Sequence, residues 1–209
     1  MSPSQLDSST LGSYGSCSFQ LTRSPMSDSM HANSDAGPGV FSLTQIRHLM
    51  RVEFSRAQRY SYPVTCIAVA CDRMGHLRDL YGYEFRESVM DEVIGLLQRS
   101  TRACDYLGRL MDDRLLAILP HTTREGAEAL AGRLVKGAHD LSFAPEGTPL
   151  QVTLSVGISH YVDDNTMFFD TLVESSEEAL FEASQAGGDR FVHRHPGPGS
   201  SNVSGGLPE

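Results

Sequence analysis

Sixteen of the seventeen basic residues are arginine, Lys136 being the exception, so guanidinium chemistry is the first thing the sequence offers. A guanidinium is planar, permanently charged and donates through a rigid fork. In Arg102-Ala103-Cys104-Asp105 an arginine stands three residues before an aspartate. Such a pair suits guanine: the fork donates to O6 and N7, and a carboxylate accepts from N1–H and the exocyclic amino group. Two guanidiniums would also suit two phosphates. The plainer reading is an ion pair at a helix end, worth little when solvated. Arg109-Leu110-Met111-Asp112 has the same form, so the tetrapeptide alone selects nothing.

The other polar groups carry weaker signals. Asp72, Asp112 and Asp113 read as solvated turn carboxylates, with a metal cluster as the alternative. His193-Arg194-His195 precedes a Pro/Gly-rich run and reads as a solvated terminus, again with a metal site as the alternative. Cys17, Cys66, Cys71 and Cys104 contain no CxxC pair. They read as buried, reduced thiols. No metal is expected. A net charge of −9 argues against nucleic acid, which needs a basic face. No apolar run is long enough to span a bilayer, and no basic-then-apolar leader opens the chain. Cytoplasmic localisation, without membrane insertion, is the expectation.

These groups need elements to position them. Residues 1–40 and 196–209 are rich in Ser, Gly, Pro and Asp and read as disordered tails. Between them, 41–195 reads as one domain. Ile46, Leu49, Met50 and Phe54 have helical spacing over 42–60, ended by Ser61-Tyr62-Pro63. Val64–Ala70 is a continuous apolar run, the mark of a central strand. A second helix covers 84–101. Strands over 106–110 and 115–119 flank a polar turn, giving a hairpin. Thr122 or Thr123 caps a helix over 123–138. A strand over 152–158 follows, then a helix over 168–186 ending at Gly187-Gly188, then a short strand at Phe191-Val192. The order is α-β-α-β-β-α-β-α-β, a sheet with helices on its faces.

That order and four motifs resemble the GGDEF (diguanylate cyclase) family over about 41–194. Arg109-Leu110-Met111-Asp112-Asp113-Arg114-Leu115, then an apolar run to Pro120, is similar to the family's signature hairpin. Ala70-Cys71-Asp72 with Tyr81-Gly82-Tyr83, the strand Thr153–Ile158, and Ala179–Arg190 match further family motifs in order. The resemblance implies a nucleotidyl-cyclase-like α/β fold, related to the ferredoxin-like palm, with a central, mostly antiparallel sheet flanked by helices.

It also implies a bacterial signalling protein that handles GTP, two metal ions and cyclic di-GMP. Against the family pattern, Ala70 replaces a metal-binding Asp. Met111 and Asp112 replace the signature glycines, and Arg114 replaces a Glu. Asp113 is retained, followed by Leu115. Arg78 replaces a guanine-reading Asn, and Glu87 its assisting Asp. Gly75, Ser184 and Gly188 replace phosphate-binding Lys, Lys and Arg. From these losses the chain is expected not to be an enzyme, with no catalytic residues. Tyr60, Tyr62, Tyr81 and Tyr83 are expected to cluster near the altered site and fill it. What the resemblance retains is the inhibitory-type site: Arg102 and Asp105 lie five residues before the signature, and Arg133 falls where the family places a further Arg. The implied function is that of a cyclic di-GMP receptor signalling by contact with an unidentified protein, with a ligand-bridged homodimer possible. The alternative is an interaction module independent of nucleotide.

Overall fold

The computed structural model describes residues 39–110, 112–161 and 168–196. Most of both expected tails, and Met111, lie outside the described residues. The elements are α1 (Leu43–Tyr60), β1 (Val64–Cys71), α2 (Met74–Ser100), β2 (Tyr106–Arg109), β3 (Arg114–Pro120), α3 (Arg124–His139), a short 3-10 turn (Pro145–Gly147), β4 (Leu154–Tyr161), α4 (Phe169–Gln185) and β5 (Arg190–Arg194). The sheet order is β2-β3-β1-β4-β5. All neighbours pair antiparallel except β4 and β5, which are parallel.

β1 lies at the centre of the sheet and is covered on both faces, which is why its residues are apolar without alternation. Ile67 and Val69 pack with α2 and α3, whereas Cys66 and Ala68 pack with α1 and α4. Helix α1 starts where the Gln45 side chain accepts from both the amide and the hydroxyl of Ser42, at 3.0 Å each, satisfying a donor the helix leaves open. It buries Ile46, Met50, Phe54 and Ala57 along one side, each large side chain contributing roughly 1.5–3 kcal/mol. It ends at Ser61 in the left-handed region, φ 54°, ahead of Pro63. Thr123 caps α3, its hydroxyl 3.5 Å from the Gly126 amide, with Glu125 favourably placed in the first turn.

Several boundaries differ from the sequence reading. Helix α2 begins at Met74, ten residues earlier than expected. Gly75 and Gly82 obscure the periodicity there, and Gly82 departs from the helix with φ 85°. Strand β4 runs on through Ser159, His160 and Tyr161, because the polar pair Ser159-His160 is buried rather than exposed. Cys66 and Cys71 are buried as expected, but Cys104 is exposed in the loop before β2. The four tyrosines do not cluster. Tyr62 stacks on His121, centroids 3.9 Å apart, and donates to the buried Glu53 at 2.6 Å. Tyr81 packs edge-on against Phe85, and Tyr60 and Tyr83 are exposed.

Candidate functional site

Strand β1, the turn of the β2–β3 hairpin and the start of β4 meet at one end of the sheet. There Ala70 pairs with Arg114 on one side and Ser155 on the other. Asp112 and Asp113 sit in the turn with φ of 58° and 61°. Aspartate is among the few side-chain-bearing residues that visit this region readily. The turn that glycine would favour is therefore carried here by two aspartates.

Asp113 is the hub of a charge network. Arg86 of α2 donates from Nε to its Oδ2 at 2.7 Å and from Nη2 to its Oδ1. Arg109 donates to the same Oδ1 at 3.4 Å and to both oxygens of Glu87 at 3.1 Å. Arg86 also donates to Glu87. Two guanidiniums and two carboxylates thus close a ring that ties α2 to the hairpin, and Arg114, the next residue of the hairpin, pairs separately with Glu177 of α4 at 3.1 Å. The Arg109 hydrogen bond holds the Glu87 carboxyl below the usual carboxylate range, with partial burial opposing. The sign follows: a depressed carboxyl stabilises the fold above its unfolded value near 4.5 and loses that contribution as pH falls through the lower folded value. Glu87→Gln is therefore expected to lose less stability than wild type between about pH 5 and pH 3 in urea titrations. Equal slopes would show that solvent screening cancels the interaction.

Asp72, just beyond β1, is equally committed. Its carboxylate accepts from Ser155 Oγ at 2.6 Å, Thr153 Oγ1 at 2.7 Å and the Asp189 amide at 2.9 Å. It approaches so closely that a Cβ on Gly188 would lie 2.5 Å from Oδ2. Glycine at 188 is thus favoured by the nearness of Asp72 and by its own φ of 75°. The two-metal site implied by the resemblance can be tested on these residues. Ala70 offers no ligand atom, Asp113 is paired with Arg86 and Arg109, and Asp72 is hydrogen-bonded to β4. This donor set does not match the implied one. Asp72, Asp112 and Asp113 do not form a ligand cluster among the described residues.

The second corner lies between the end of α2 and the start of β2. Asp105 Oδ2 accepts from the Arg102 amide at 2.7 Å, closing the loop into β2. Burial pushes the Asp105 carboxyl up, and the Arg102 amide opposes it. The Arg102 side chain is exposed. Arg133 reaches across from α3 and donates to the Ser100 carbonyl at 3.4 Å, two residues from Arg102. Of the sequence-assigned residues, Arg102, Asp105 and Arg133 share this corner. Asp112, Asp113, Arg114 and Leu115 belong to the hairpin, and Met111 is outside the described residues.

Sequence reasoning missed Arg86, whose partner lies 27 positions away; only its neighbour Glu87 had been singled out. It also missed His160. The segment 193–195 is not a bare solvated terminus, because His193 and His195 meet His160 on β4. Burial first, then the neighbouring imidazoles and Arg124, hold His160 below its usual value and bring His193 down to about 4.

Comparison with known proteins fits this architecture. The family described as "Diguanylate cyclase, GGDEF domain" matches residues 32–190. "Diguanylate cyclase A" of Treponema denticola is 27% identical over 147 residues, 70% of this chain but 39% of that relative. The active GGEEF domain of a diguanylate cyclase from Vibrio cholerae superposes with a TM-score of 0.68 at 21% identity, covering 72% of this chain and 94% of that one. The GGDEF domain of DgcB from Caulobacter crescentus, solved in complex with c-di-GMP, gives 0.70 at 13% identity, covering 81% and 98%. Among the described residues no helix is long and apolar enough to cross a membrane. One expectation is corrected. The expectation that the chain is not an enzyme is overturned, because relatives it matches are named diguanylate cyclases and the Vibrio cholerae structural neighbour is an active GGEEF domain. The family match runs through the positions of Ala70, Met111, Asp112, Ser184 and Gly188. With the match covering well over half its length, the chain belongs to the GGDEF domain family.

Proposed function

We propose that this GGDEF domain is a receptor for cyclic di-GMP, taking the ligand at Arg102, Asp105 and Arg133 and passing the signal on through contact with a partner protein. One observation carries the reading: the contact of Arg133 with the end of α2 puts a second guanidinium beside the loop in which Asp105 is fixed by the Arg102 amide. The Arg102 fork is left exposed to solvent, able to donate to guanine O6 and N7. Asp105, partly buried and raised by that burial, gains from any donor that approaches its second oxygen, such as guanine N1–H. Arg133 adds a charge for phosphate.

Calorimetric titration with cyclic di-GMP, and with cyclic di-AMP as control, tests this. Wild type is expected to show saturable binding of the guanine ligand alone. Arg102→Ala loses roughly 1–3 kcal/mol, or about 5- to 150-fold in affinity. Arg102→Lys fails nearly as badly, because an ammonium has no fork. Asp105→Ala weakens binding and narrows the difference between the two dinucleotides. No saturation by about 100 µM ligand, or an Arg102→Ala variant that binds like wild type, would leave a nucleotide-independent interaction module in its place.

A further inference from the structure

Three histidines converge at the β4–β5 edge. The parallel register sets Ile158 beside His193 and Ser159 beside Arg194. Residues two apart on a strand share a face. His160 and His193 therefore lie on the same side as Ile158, the side packed by α2 and α3, and His195 follows His193 onto it. His160 Nδ1 and His193 Nε2 are 2.7 Å apart. One candidate ligand nitrogen from each of the three rings lies within 4.8 Å of the others. His160 is buried, His193 partly buried and His195 exposed.

We propose that His160, His193 and His195 form a binding site for a divalent transition-metal ion of the zinc class. Neutral imidazole is the preferred donor of zinc, copper and nickel, whereas calcium and magnesium require oxygen ligands that these three residues do not supply. Zinc holds imidazole nitrogen at about 2.0–2.1 Å, which puts two such ligands roughly 3.0–3.4 Å apart. The His160–His193 pair opens slightly to reach that spacing. The exposed His195 has room to swing in and complete the third position. A fourth position faces solvent at the strand end and is left for water or an incoming ligand, as in open three-histidine sites. The surrounding charge allows a cation. Arg124 lies near His160 and His193, but it is neutralised by Glu128 at 2.7 Å, and Glu125 and Glu128 also act on His160.

The place of the site gives it a consequence. β5 is an edge strand held by β4 on one side only. An ion shared by β4 and β5 would fasten that strand at its C-terminal end. It stands at the end of β4 remote from Ser155, which touches Asp72, and at the sheet edge opposite β2, so it is separate from the hairpin turn and from the Arg102 corner.

The test is a zinc titration of the chelator-stripped full chain against a chromophoric competitor, with cobalt substitution to report the ligands. One equivalent of zinc is expected to bind with Kd of about 1 µM or tighter, and saturating zinc raises Tm. His195→Ala, His193→Ala and His160→Asn are each expected to weaken binding about tenfold or more. His195 is exposed, so its variant keeps the test decisive even where His160→Asn fails to fold. Cobalt should give tetrahedral d–d bands with no thiolate charge-transfer band. The proposal is overturned by any of three results: no saturation by about 100 µM zinc, one-equivalent binding that survives in the triple variant, or a thiolate band that points to the cysteines instead.

Discussion

Gly157→Ala is expected to destabilise the domain by about 4 kcal/mol or more, the range reserved for severe packing defects. Gly157 lies in β4 between Ala68 of β1 and Val192 of β5, and α4 crosses directly over it. A Cβ built there would run into the Ser176 carbonyl oxygen and the Leu180 amide nitrogen. Both are backbone atoms of a helix that also buries Leu172, Ala179 and Leu180. No rotamer change can relieve the clash; the helix itself must lift from the sheet. Overpacking usually costs about 1–3 kcal/mol when side chains can yield, and here they cannot. At this chain length the loss corresponds to a fall in Tm of roughly 8–16 °C. Gly75→Ala is the control, since nothing lies within 4 Å of a Cβ added there. It sits inside a helix turn and should be neutral or stabilising by up to about 1 kcal/mol. A Gly157→Ala protein that melts within about 2 °C of wild type would show that α4 is not seated on β4 as described.

That glycine shows both the reach and the limit of the sequence. Its place in Thr153–Ile158 was legible as part of a strand motif, but the reason for it was not. The approach of Ser176 and Leu180 is set by a helix about twenty positions away. The element order and the hairpin could be read because their periodicities are local: the continuous apolar run of β1, and the helical spacing of Ile46, Met50 and Phe54. The start of α2 was lost because Gly75 and Gly82 interrupt its pattern. The end of β4 was lost because Ser159 and His160 look like loop residues until β1 and β5 cover them. The Arg102 corner was legible as a loop motif beside the signature. Its link to Arg133 rested on resemblance, and the Ser100 contact that places Arg133 has no local signature. The His160 partnership was invisible, since only the parallel pairing of β4 with β5 brings position 160 to positions 193 and 195.

Asp113 carries the other large effect. Its carboxylate is the meeting point of Arg86 and Arg109, whose side chains are only 20% and 14% exposed. Removing one member of a buried ion pair costs about 3–5 kcal/mol, because the remaining charge is left without its partner. Here Glu87 stays to receive both guanidiniums, and its 46% exposure admits water. About 2–3 kcal/mol is therefore the expected loss for Asp113→Ala. Part of that could arise from backbone strain, since φ of 61° suits Asp better than Ala. Asp113→Asn separates the two effects. Asparagine tolerates the same φ and keeps one acceptor oxygen, so its loss of about 1–2 kcal/mol reports the missing charge and acceptor without the backbone strain. A double-mutant cycle completes the argument. Arg86→Met removes one guanidinium while keeping most of the apolar stem. Combined with Asp113→Asn, it should cost less than the sum of the single losses by about 1 kcal/mol or more. Urea denaturation of the four proteins at pH 7 measures this directly. Additive losses, or an Asp113→Asn protein within about 0.5 kcal/mol of wild type, would mean that the ring of charges does not hold the hairpin to α2.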